Sequence, residues 1–381
     1  AIEITLNADD VQVIRWMKGD EKGLMIGTVE GEWIVRASTQ GEALSPTNRT
    51  AKQSTPRGSA NIQPVRVGKA VLFVQKALRK LCELAYVYEE DGFRSPDMTR
   101  LSEHVTKAST AATSGFKQLA YQQEPQTIIW GVRNDGVLLG FTYERAEKVL
   151  GWHRHTLGGF SNSGHTAGAL VESVASIQRT DGTGDVLWLI VNRYINGRTV
   201  RYVEYMTRLW EQGDDQTDAV FVDCALTYDS AAVSSITGLF HLAGETVSIL
   251  ADGATHPDKA VSALGVVTLD RSASTVQIGY SYNSDGQLHR MEAGAADGTA
   301  LGKTQRTHRV AFLLHDTLGI QVGPDFDNLT RLVFRTSAMD TDEFVPVFSG
   351  IKEVTWEGDY TKDNYISWRF DQPLPGTILA V

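Results

Sequence analysis

Apolar residues occur along this chain in short runs that are separated by turn-forming residues. Between residues 127 and 144, for example, the apolar runs 127–132 and 137–143 flank Arg133-Asn134-Asp135-Gly136. Asn and Asp tolerate a positive φ, and Gly adopts one without steric cost. This segment therefore predicts a β-hairpin.

The same arrangement recurs at residues 23–37, 69–86 and 185–206, and a further short apolar strand precedes each hairpin. The hairpins start roughly 45 to 60 residues apart, a repeat length that is typical of propeller blades built of three or four strands. We therefore predict an all-β fold whose first part is a β-propeller-like repeat domain with about four recognisable blades. A plain antiparallel sandwich with hairpins is the alternative.

Some of these strands are apolar at every position, and others alternate. The runs 71–74, 128–130 and 186–191 are apolar almost throughout, which is typical of strands that are buried on both faces. Residues 200–206 alternate between apolar and polar positions and indicate a strand nearer the outside. One blade alone could not bury both of its faces, so the pattern favours stacked sheets.

Two long polar segments, 38–64 and 89–115, separate the predicted blades. The second contains "SPDMTRLSEHV", in which Ser95 or Asp97 is placed to cap a short helix. Met98, Leu101 and Val105 would lie on one side of that helix. Long insertions of this kind often make contacts or carry function.

Beyond the acidic stretch 211–218 the pattern changes to short strands at regular intervals with turn signals between them, including a predicted hairpin tip at Asp285-Gly286. We predict two domains. Residues 1–210 form the propeller-like blades with long inter-blade loops, and residues 219–381 form a platform-like β-sandwich or β-barrel that ends in an extended tail.

Composition narrows the function classes. With a net charge of −10, the chain lacks the excess of Lys and Arg that is typical of a nucleic-acid-binding protein. An acidic surface would let a polyanion pass without binding it, although many proteins are acidic only for solubility. No apolar run is long enough to span a membrane. Cys82 and Cys224 lie in apolar strand-like contexts and are expected to be buried free thiols. The opening "AIEITLNADD" lacks an initiator Met, so we expect a fragment or a processed piece of a longer protein.

Three histidines form the best candidate for a metal site. His153 and His155 would point to one face of a strand, and His165 from a following loop could complete an open zinc site. No Cys, Asp or Glu lies among them, and an outer strand with a Gly- and Ser-rich loop explains the segment equally. We expect no metal, no cofactor and no catalytic residue.

Other possible sites are explained by turns and packing. The stretch 158–164, "GGFSNSG", departs from the nucleophile-elbow pattern and is expected to be a loop. A set of aspartates lies beside or near turn glycines, where Asp bonds its own backbone: Asp91, Asp135, Asp181, Asp185 and Asp285. Four tryptophans inside apolar strands are expected to pack between blades: Trp16, Trp33, Trp130 and Trp188. Trp152 is the ring expected to be exposed, where it could bind a glycan.

Several long stretches resemble the tail tubular or nozzle proteins of short-tailed phages and related prophages. They are "RVGKAVLFVQKALRKLCELAYVYEEDGFRSPDMTRLSEHV", "LAYQQEPQTIIWGVRNDGVLLGFTYERAEKVLGWHRH", "HRVAFLLHDTLGIQVG" and "DQPLPGTILAV". The resemblance covers nearly the whole chain, and it implies a β-propeller beside a β-rich platform domain. The N-terminal platform portion usual in the family has no counterpart in this sequence.

The resemblance also implies a role. It predicts a non-enzymatic virion protein, made in the bacterial host cytoplasm, that in its full-length form builds a homo-oligomeric ring, a hexamer, below the portal and adaptor. Such a ring lines the exit channel for double-stranded DNA, contacts tail-spike or needle proteins, and holds the genome until ejection. The alternatives are a propeller that binds host-surface glycans at the tail tip and a propeller enzyme with a His-based metal site.

Overall fold

The structure is a computed structural model that describes residues 3–6, 12–39, 42–290, 298–299, 301–356 and 358–381. Helical structure within these ranges consists of the 3₁₀ turns Tyr88–Glu90, Gln216–Asp218 and Phe240–Leu242. The chain divides into two compact units. The first unit contains Ala1–His155, Ala169–Asn192 and Arg201–Met206, and the second contains Thr156–Gly168, Arg193–Val200 and Thr207–Val381.

Fifteen strands in the first part of the described chain form four small antiparallel sheets. The strands are β1 (Ile14–Asp20), β2 (Gly23–Thr28), β3 (Glu32–Arg36), β4 (Thr50–Thr55), β5 (Val65–Val67), β6 (Ala70–Val74), β7 (Leu81–Val87), β8 (Gly92–Arg94), β9 (Phe116–Gln122), β10 (Ile128–Arg133), β11 (Leu138–Glu144), β12 (Val149–His155), β13 (Leu170–Gln178), β14 (Asp185–Ile195) and β15 (Arg198–Tyr205). Sheet 1 has the order β1-β2-β3-β4, sheet 2 β5-β6-β7-β8, sheet 3 β12-β11-β10-β9 and sheet 4 β13-β14-β15. Each sheet is therefore built from consecutive strands, as a propeller blade is.

The sheets stack because both faces of sheet 2 are apolar. Leu72 and Val74 of β6 pack into one cluster with Phe116 and Phe141 of sheet 3. The alternate residues of β6 face the other way, and Phe73 packs with Trp16 of sheet 1. The uninterrupted apolar run in β6 is explained by this position between two neighbouring sheets.

The first strands of successive sheets lie beside one another: β5 contacts β9, and β9 contacts β13. Sheet 4 also joins sheet 3 through Gln118, whose side-chain amide donates to the Val174 carbonyl at 2.8 Å. The chain is thus all-β, with a propeller-like series of four sheets, as the sequence predicts.

The predicted turns form where the residue types require them. Gly136 has φ +83° in the turn between β10 and β11, and its N–H donates to the Arg133 carbonyl at 2.8 Å. The β14–β15 turn places Asn196 at φ +49° and Gly197 at φ +76°, as a two-residue hairpin turn with two left-handed positions requires.

The helix predicted around residues 95–105 is wrong. The Asp97 carboxylate instead accepts hydrogen bonds from the Thr99 N–H at 2.9 Å and the Thr99 hydroxyl at 2.6 Å, which closes a turn. Residues 96–98 run along β7, because the Glu83 N–H donates to the Pro96 carbonyl at 3.1 Å and the Met98 N–H donates to the Leu81 carbonyl at 2.9 Å. Pairing with the edge of β7 therefore took precedence over the helix that the capping residues favour. Leu101, expected on one side of the helix together with Met98 and Val105, is 96% exposed.

The second unit contains further antiparallel sheets. Its strands are β16 (Asp223–Ile236), β17 (Thr246–Ala251), β18 (Ala254–Ala260), β19 (Val267–Tyr280), β20 (Ser284–Gln287), β21 (Arg309–Thr317), β22 (Ile320–Gly323), β23 (Thr330–Arg331), β24 (Phe348–Thr355), β25 (Ser367–Phe370) and β26 (Thr377–Ala380). Their orders are β16-β19-β17-β18, β20-β25-β22-β23 and β24-β21-β26. Phe312 and Leu314 of β21 share one core with Ile320 and Val322 of β22, so the last two sheets form a sandwich.

The hairpin predicted at Asp285-Gly286 is wrong, because both residues lie within β20 and pair with β25. The Arg369 guanidinium holds the Asp285 carboxylate through two hydrogen bonds of 2.7 and 2.8 Å. A Cβ on Gly286 would collide with the Trp368 ring, so the glycine makes room for the indole.

The domain limits expected from the sequence, 1–210 and 219–381, differ from the compact units, in which residues 156–168 and 193–200 join the C-terminal part. Those limits stay a prediction. Among the described residues no helix has the length and apolarity that crossing a membrane requires.

Candidate interaction surface

Sheet 4 presents an apolar face to solvent. Along β14, Leu187, Leu189 and Val191 are buried, whereas the alternate residues Trp188 and Ile190 are exposed. Because side chains alternate across a strand, the apolar run 186–191 supplies an inner face and an outer face at once. The outer one, named here the β14 face, consists of Ile177, Trp188, Ile190, Val203 and Tyr205.

Two strands and an aromatic contact fix the centre of this face. The rings of Trp188 on β14 and Tyr205 on β15 have centroids 5.2 Å apart. Val203 lies two residues before Tyr205 on β15 and is 68% exposed. An exposed face made of such residues contrasts with the usual polar outer side of an antiparallel sheet.

A polar group borders the apolar centre. The Glu172 carboxylate accepts hydrogen bonds from Arg201 at 2.7 Å and from the Asn192 amide at 2.9 Å. These two partners, Arg201 first, lower the pKa of Glu172 below its ordinary value. An apolar centre with a polar rim is the usual organisation of a protein–protein interface.

The size of the β14 face can be judged from its exposed fractions, which are 54% for Ile177, 37% for Trp188, 39% for Ile190, 68% for Val203 and 57% for Tyr205. With about 200 Å² for a large apolar side chain, they amount to roughly 500 Å². Contiguous apolar patches of roughly 300–600 Å² are the largest on typical monomers and often mark interaction sites.

His153 and His155 lie on one face of β12, as predicted, with their Nδ1 and Nε2 atoms 2.6 Å apart. Both rings stand edge-on to Trp130, at centroid distances of 5.9 and 5.0 Å. Gly140 of the adjacent strand provides the space, because a Cβ there would collide with the His153 ring. The pair is thus packed against a tryptophan within sheet 3.

The histidine pair is held in its neutral form. Burial lowers the pKa of His153, and burial together with the neighbouring His153 lowers that of His155 to about 4. His165 belongs to the second compact unit and stacks on Phe160 at a centroid distance of 4.6 Å. In the part of the chain that the structure describes, no three metal-binding side chains come together. The geometry fits a hydrogen-bonded packing pair.

The burial of the tryptophans differs in part from the prediction. Trp16, Trp33 and Trp130 are buried, as expected. The expected exposure of Trp152 is wrong: its ring stacks on Phe141 at 4.4 Å and packs into the core cluster shared by sheets 2 and 3. The expected inter-blade packing of Trp188 is also wrong, because that ring lies on the β14 face.

The aspartate and loop candidates have hydrogen-bonding roles, which are local for Asp135 and Asp181 but long-range for Asp185. Asp135 holds Arg133, Asp181 accepts from the Thr183 N–H at 3.0 Å, and Asp185 accepts from the Gln123 N–H at 2.7 Å. Within residues 158–164, Asn162 closes a turn by accepting from the Thr166 N–H at 3.1 Å.

Sequence reasoning missed a polar cluster in the first unit. Glu83 is buried, and its carboxylate accepts from the Tyr143 hydroxyl at 2.7 Å and pairs with Arg145 at 3.2 Å. An open cleft of about 510 Å³ lies beside it and is lined in part by Lys69 and Thr127. The carboxylate is already satisfied by its own neighbours, so the cluster joins sheets 2 and 3. The one signal of this cluster in the sequence is the isolated polar residue within an apolar strand.

The chain matches no protein-family model and no curated protein. Among solved structures it is similar to the extracellular domain of a putative hybrid two-component system from B. thetaiotaomicron, at 12% identity and a TM-score of 0.27. The match covers 96% of this chain but only 39% of that one, so the chain spans well under half of that protein's length. A protein from Lactobacillus plantarum is similar at 11% identity and a TM-score of 0.25, over 90% of this chain and 98% of the other. TM-scores this low do not establish a shared architecture.

Proposed function

We propose that this chain is a non-enzymatic structural component of a phage tail, a nozzle or tail-tube ring protein located below the portal and adaptor. The long stretches that resemble phage nozzle proteins suggest this role. In it, copies form a homo-oligomeric ring around the exit channel for double-stranded DNA and retain the genome until ejection. The protein is made in the host cytoplasm and resides in the virion tail, next to tail-spike or needle proteins.

The observation that carries the proposal is the β14 face. Sheet 1 packs against sheet 2, sheet 2 packs against sheet 3, and sheet 3 contacts sheet 4 through β9 and β13, whereas sheet 4 ends the series with an outer surface of exposed aliphatic and aromatic side chains. A stacked β-structure whose last sheet exposes an apolar face suits a part that assembles with other proteins.

The charge of the chain supports the proposed passage of DNA. With 46 acidic and 36 basic residues, the net charge is −10. Phosphate binding draws on clustered Lys and Arg, and an acidic ring repels the polyanion instead of retaining it by contact.

Immunogold labelling of virions from the strain that encodes the protein tests the proposal. Gold particles are expected at the neck-proximal tail, and mass spectrometry of purified particles is expected to detect the protein in several copies per portal. Its absence from purified, infectious virions would refute the proposed function.

A second candidate function, the recognition of host-surface glycans, is favoured by one observation: the exposed Trp188–Tyr205 pair offers aromatic surface on which a sugar ring could stack. Trp152, the ring first expected in this role, lies in the core. Glycan-array binding that is lost in Trp188→Ala and kept in Trp152→Phe would support this alternative over the structural role.

A further inference from the structure

A second apolar sheet face is exposed on the other compact unit. Leu313 on β21 and Ile351 on β24 are direct partners in the ladder and are exposed, whereas the flanking Phe312 and Leu314 point into the sandwich core. Leu379 on the adjacent β26 is also exposed. These three residues, Leu313, Ile351 and Leu379, are named here the β21 face.

The two faces resemble each other in construction. Each is the outer side of a three-stranded antiparallel sheet whose inner side is buried, and each is bordered by a carboxylate–arginine pair. Arg201 pairs with Glu172 beside the β14 face, and Arg309 pairs with Glu353 at 3.1 Å beside the β21 face. Such pairs leave little net charge at the borders to oppose close approach.

We infer that the β14 face of one copy of this chain packs against the β21 face of a second copy. The inference deepens the proposed function, on which it rests, by naming the surfaces through which ring subunits meet. A ring of identical subunits needs a heterologous contact, in which two different patches join head to tail, whereas a self-complementary contact closes a dimer with one patch. This chain carries two different apolar faces, as a heterologous contact requires.

The exposed apolar areas of the two faces are smaller than one side of a standard interface and correspond to the apolar part of one. The exposed side chains of the β14 face amount to roughly 500 Å², and those of the β21 face to roughly 300 Å². A standard stable interface buries about 800 Å² per partner, with an apolar centre and a polar rim. The two faces therefore supply the centre, and the bordering ion pairs and backbone supply the rim.

Two single variants separate this arrangement from the alternatives. Val203→Glu places a charge on the β14 face, and Ile351→Glu places one on the β21 face, at positions with nearly equal exposure of 68% and 66%. Leu101→Glu is the matched control, because Leu101 is a fully exposed apolar residue outside both faces. Circular dichroism and thermal unfolding of each variant verify the fold before association is measured.

Sedimentation velocity over a wide concentration range is the measurement. The wild-type chain and Leu101→Glu are expected to form oligomers larger than dimers. Each interface variant alone is expected to lose association by about tenfold or more, since a buried charge at the centre of an interface is strongly unfavourable. An equimolar mixture of Val203→Glu and Ile351→Glu is expected to form dimers and nothing larger, because each copy retains one intact, complementary face.

Several results would overturn the inference. A wild-type chain that stays monomeric at every soluble concentration would do so, as would interface variants that associate like the control. Loss of association in Val203→Glu alone, with Ile351→Glu unaffected and no rescue in the mixture, would show a self-complementary β14 contact instead. Any of these results combined with gold labelling of the tail would refute the contact while leaving the proposed function intact.

Discussion

Removing the Phe73 ring tests whether stacked sheets hold the first unit together. Phe73 lies in β6 and is completely buried, and its ring is 5.7 Å from that of Trp16 in sheet 1. Phe73→Ala removes this inter-sheet contact and leaves a cavity between sheets 1 and 2. Phe240→Ala is the matched control, because it deletes the same ring from a position that is 69% exposed.

The expected cost follows from burial. Large-to-small replacement of a buried Phe costs about 3–5 kcal/mol, a range that includes the lost transfer energy and the residual cavity. The aromatic partner Trp16 favours the upper part of this range, since such pairs contribute about 0.5–1.5 kcal/mol beyond their area. We therefore expect Phe73→Ala to reduce the free energy of unfolding by about 4–5 kcal/mol and Phe240→Ala to change it by less than about 0.5 kcal/mol.

Urea-induced unfolding followed by pulsed hydrogen exchange and mass spectrometry is the assay, because peptides from β2, β6 and β10 then report sheets 1, 2 and 3 separately. The midpoints of all three are expected to fall together in Phe73→Ala, since sheet 2 supports both neighbours. A loss below about 1 kcal/mol, or a change confined to β6 itself, would show that each sheet is stable without the faces of its neighbours.

Three further predictions concern single positions. His155→Phe is expected to reduce the loss of stability between about pH 6.5 and 4. The depressed pKa of His155 means that the unfolded chain binds the proton first, which costs the native state up to about 3 kcal/mol as the pH falls through this window, while His153, whose pKa burial also lowers, retains part of the loss. Equal acid sensitivity of His155→Phe and the control His165→Asn in denaturant titrations would contradict this. Arg133→Met is expected to lower the free energy of unfolding by about 3 kcal/mol and to speed proteolysis within residues 95–115, because the buried guanidinium donates to the Val105 and Lys107 carbonyls at 2.7 and 2.9 Å. Unchanged cleavage kinetics would contradict this prediction. Gly286→Ala is expected to lower the midpoint of thermal unfolding, because the added Cβ would collide with the Trp368 ring. Gly151→Ala is the control and is expected to leave that midpoint unchanged, because no atom lies within 4 Å of the added Cβ. Equal effects of the two substitutions would exclude the steric explanation.

Hydrophobic periodicity predicted the sheets of the first part well because it reports burial directly. The uniform run in β6 and the alternating run in β15 correspond to a strand between two sheets and a strand beside solvent. The turns at Gly136 and Asn196-Gly197 followed from backbone sterics alone, which depend on a few neighbouring residues.

Long-range pairing explains the errors. The segment around Asp97 carries capping residues, yet it runs along β7, which no local signal reveals. Asp285-Gly286 has the composition of a turn, but its glycine accommodates a tryptophan from a strand far along the chain. In both cases a tertiary contact decided between conformations that the local sequence allows.

The β14 face could not be predicted, because an apolar run fits both a strand buried on two faces and a strand with one exposed face. A run such as residues 186–191 is apolar on both sides, and sequence alone assigns both sides to burial. The structure shows that Trp188 and Ile190 emerge on the outer side of the last sheet in the series. Knowing which sheet ends the stack was therefore necessary to distinguish a packed tryptophan from an exposed one.

Cryo-electron microscopy of the purified, assembled protein would show whether identical subunits meet through the β14 face. Closed rings are expected, in which the Trp188 and Tyr205 side chains are covered by a neighbouring copy. Particles that remain single under all conditions, or rings in which the β14 face stays open to solvent, would contradict this expectation.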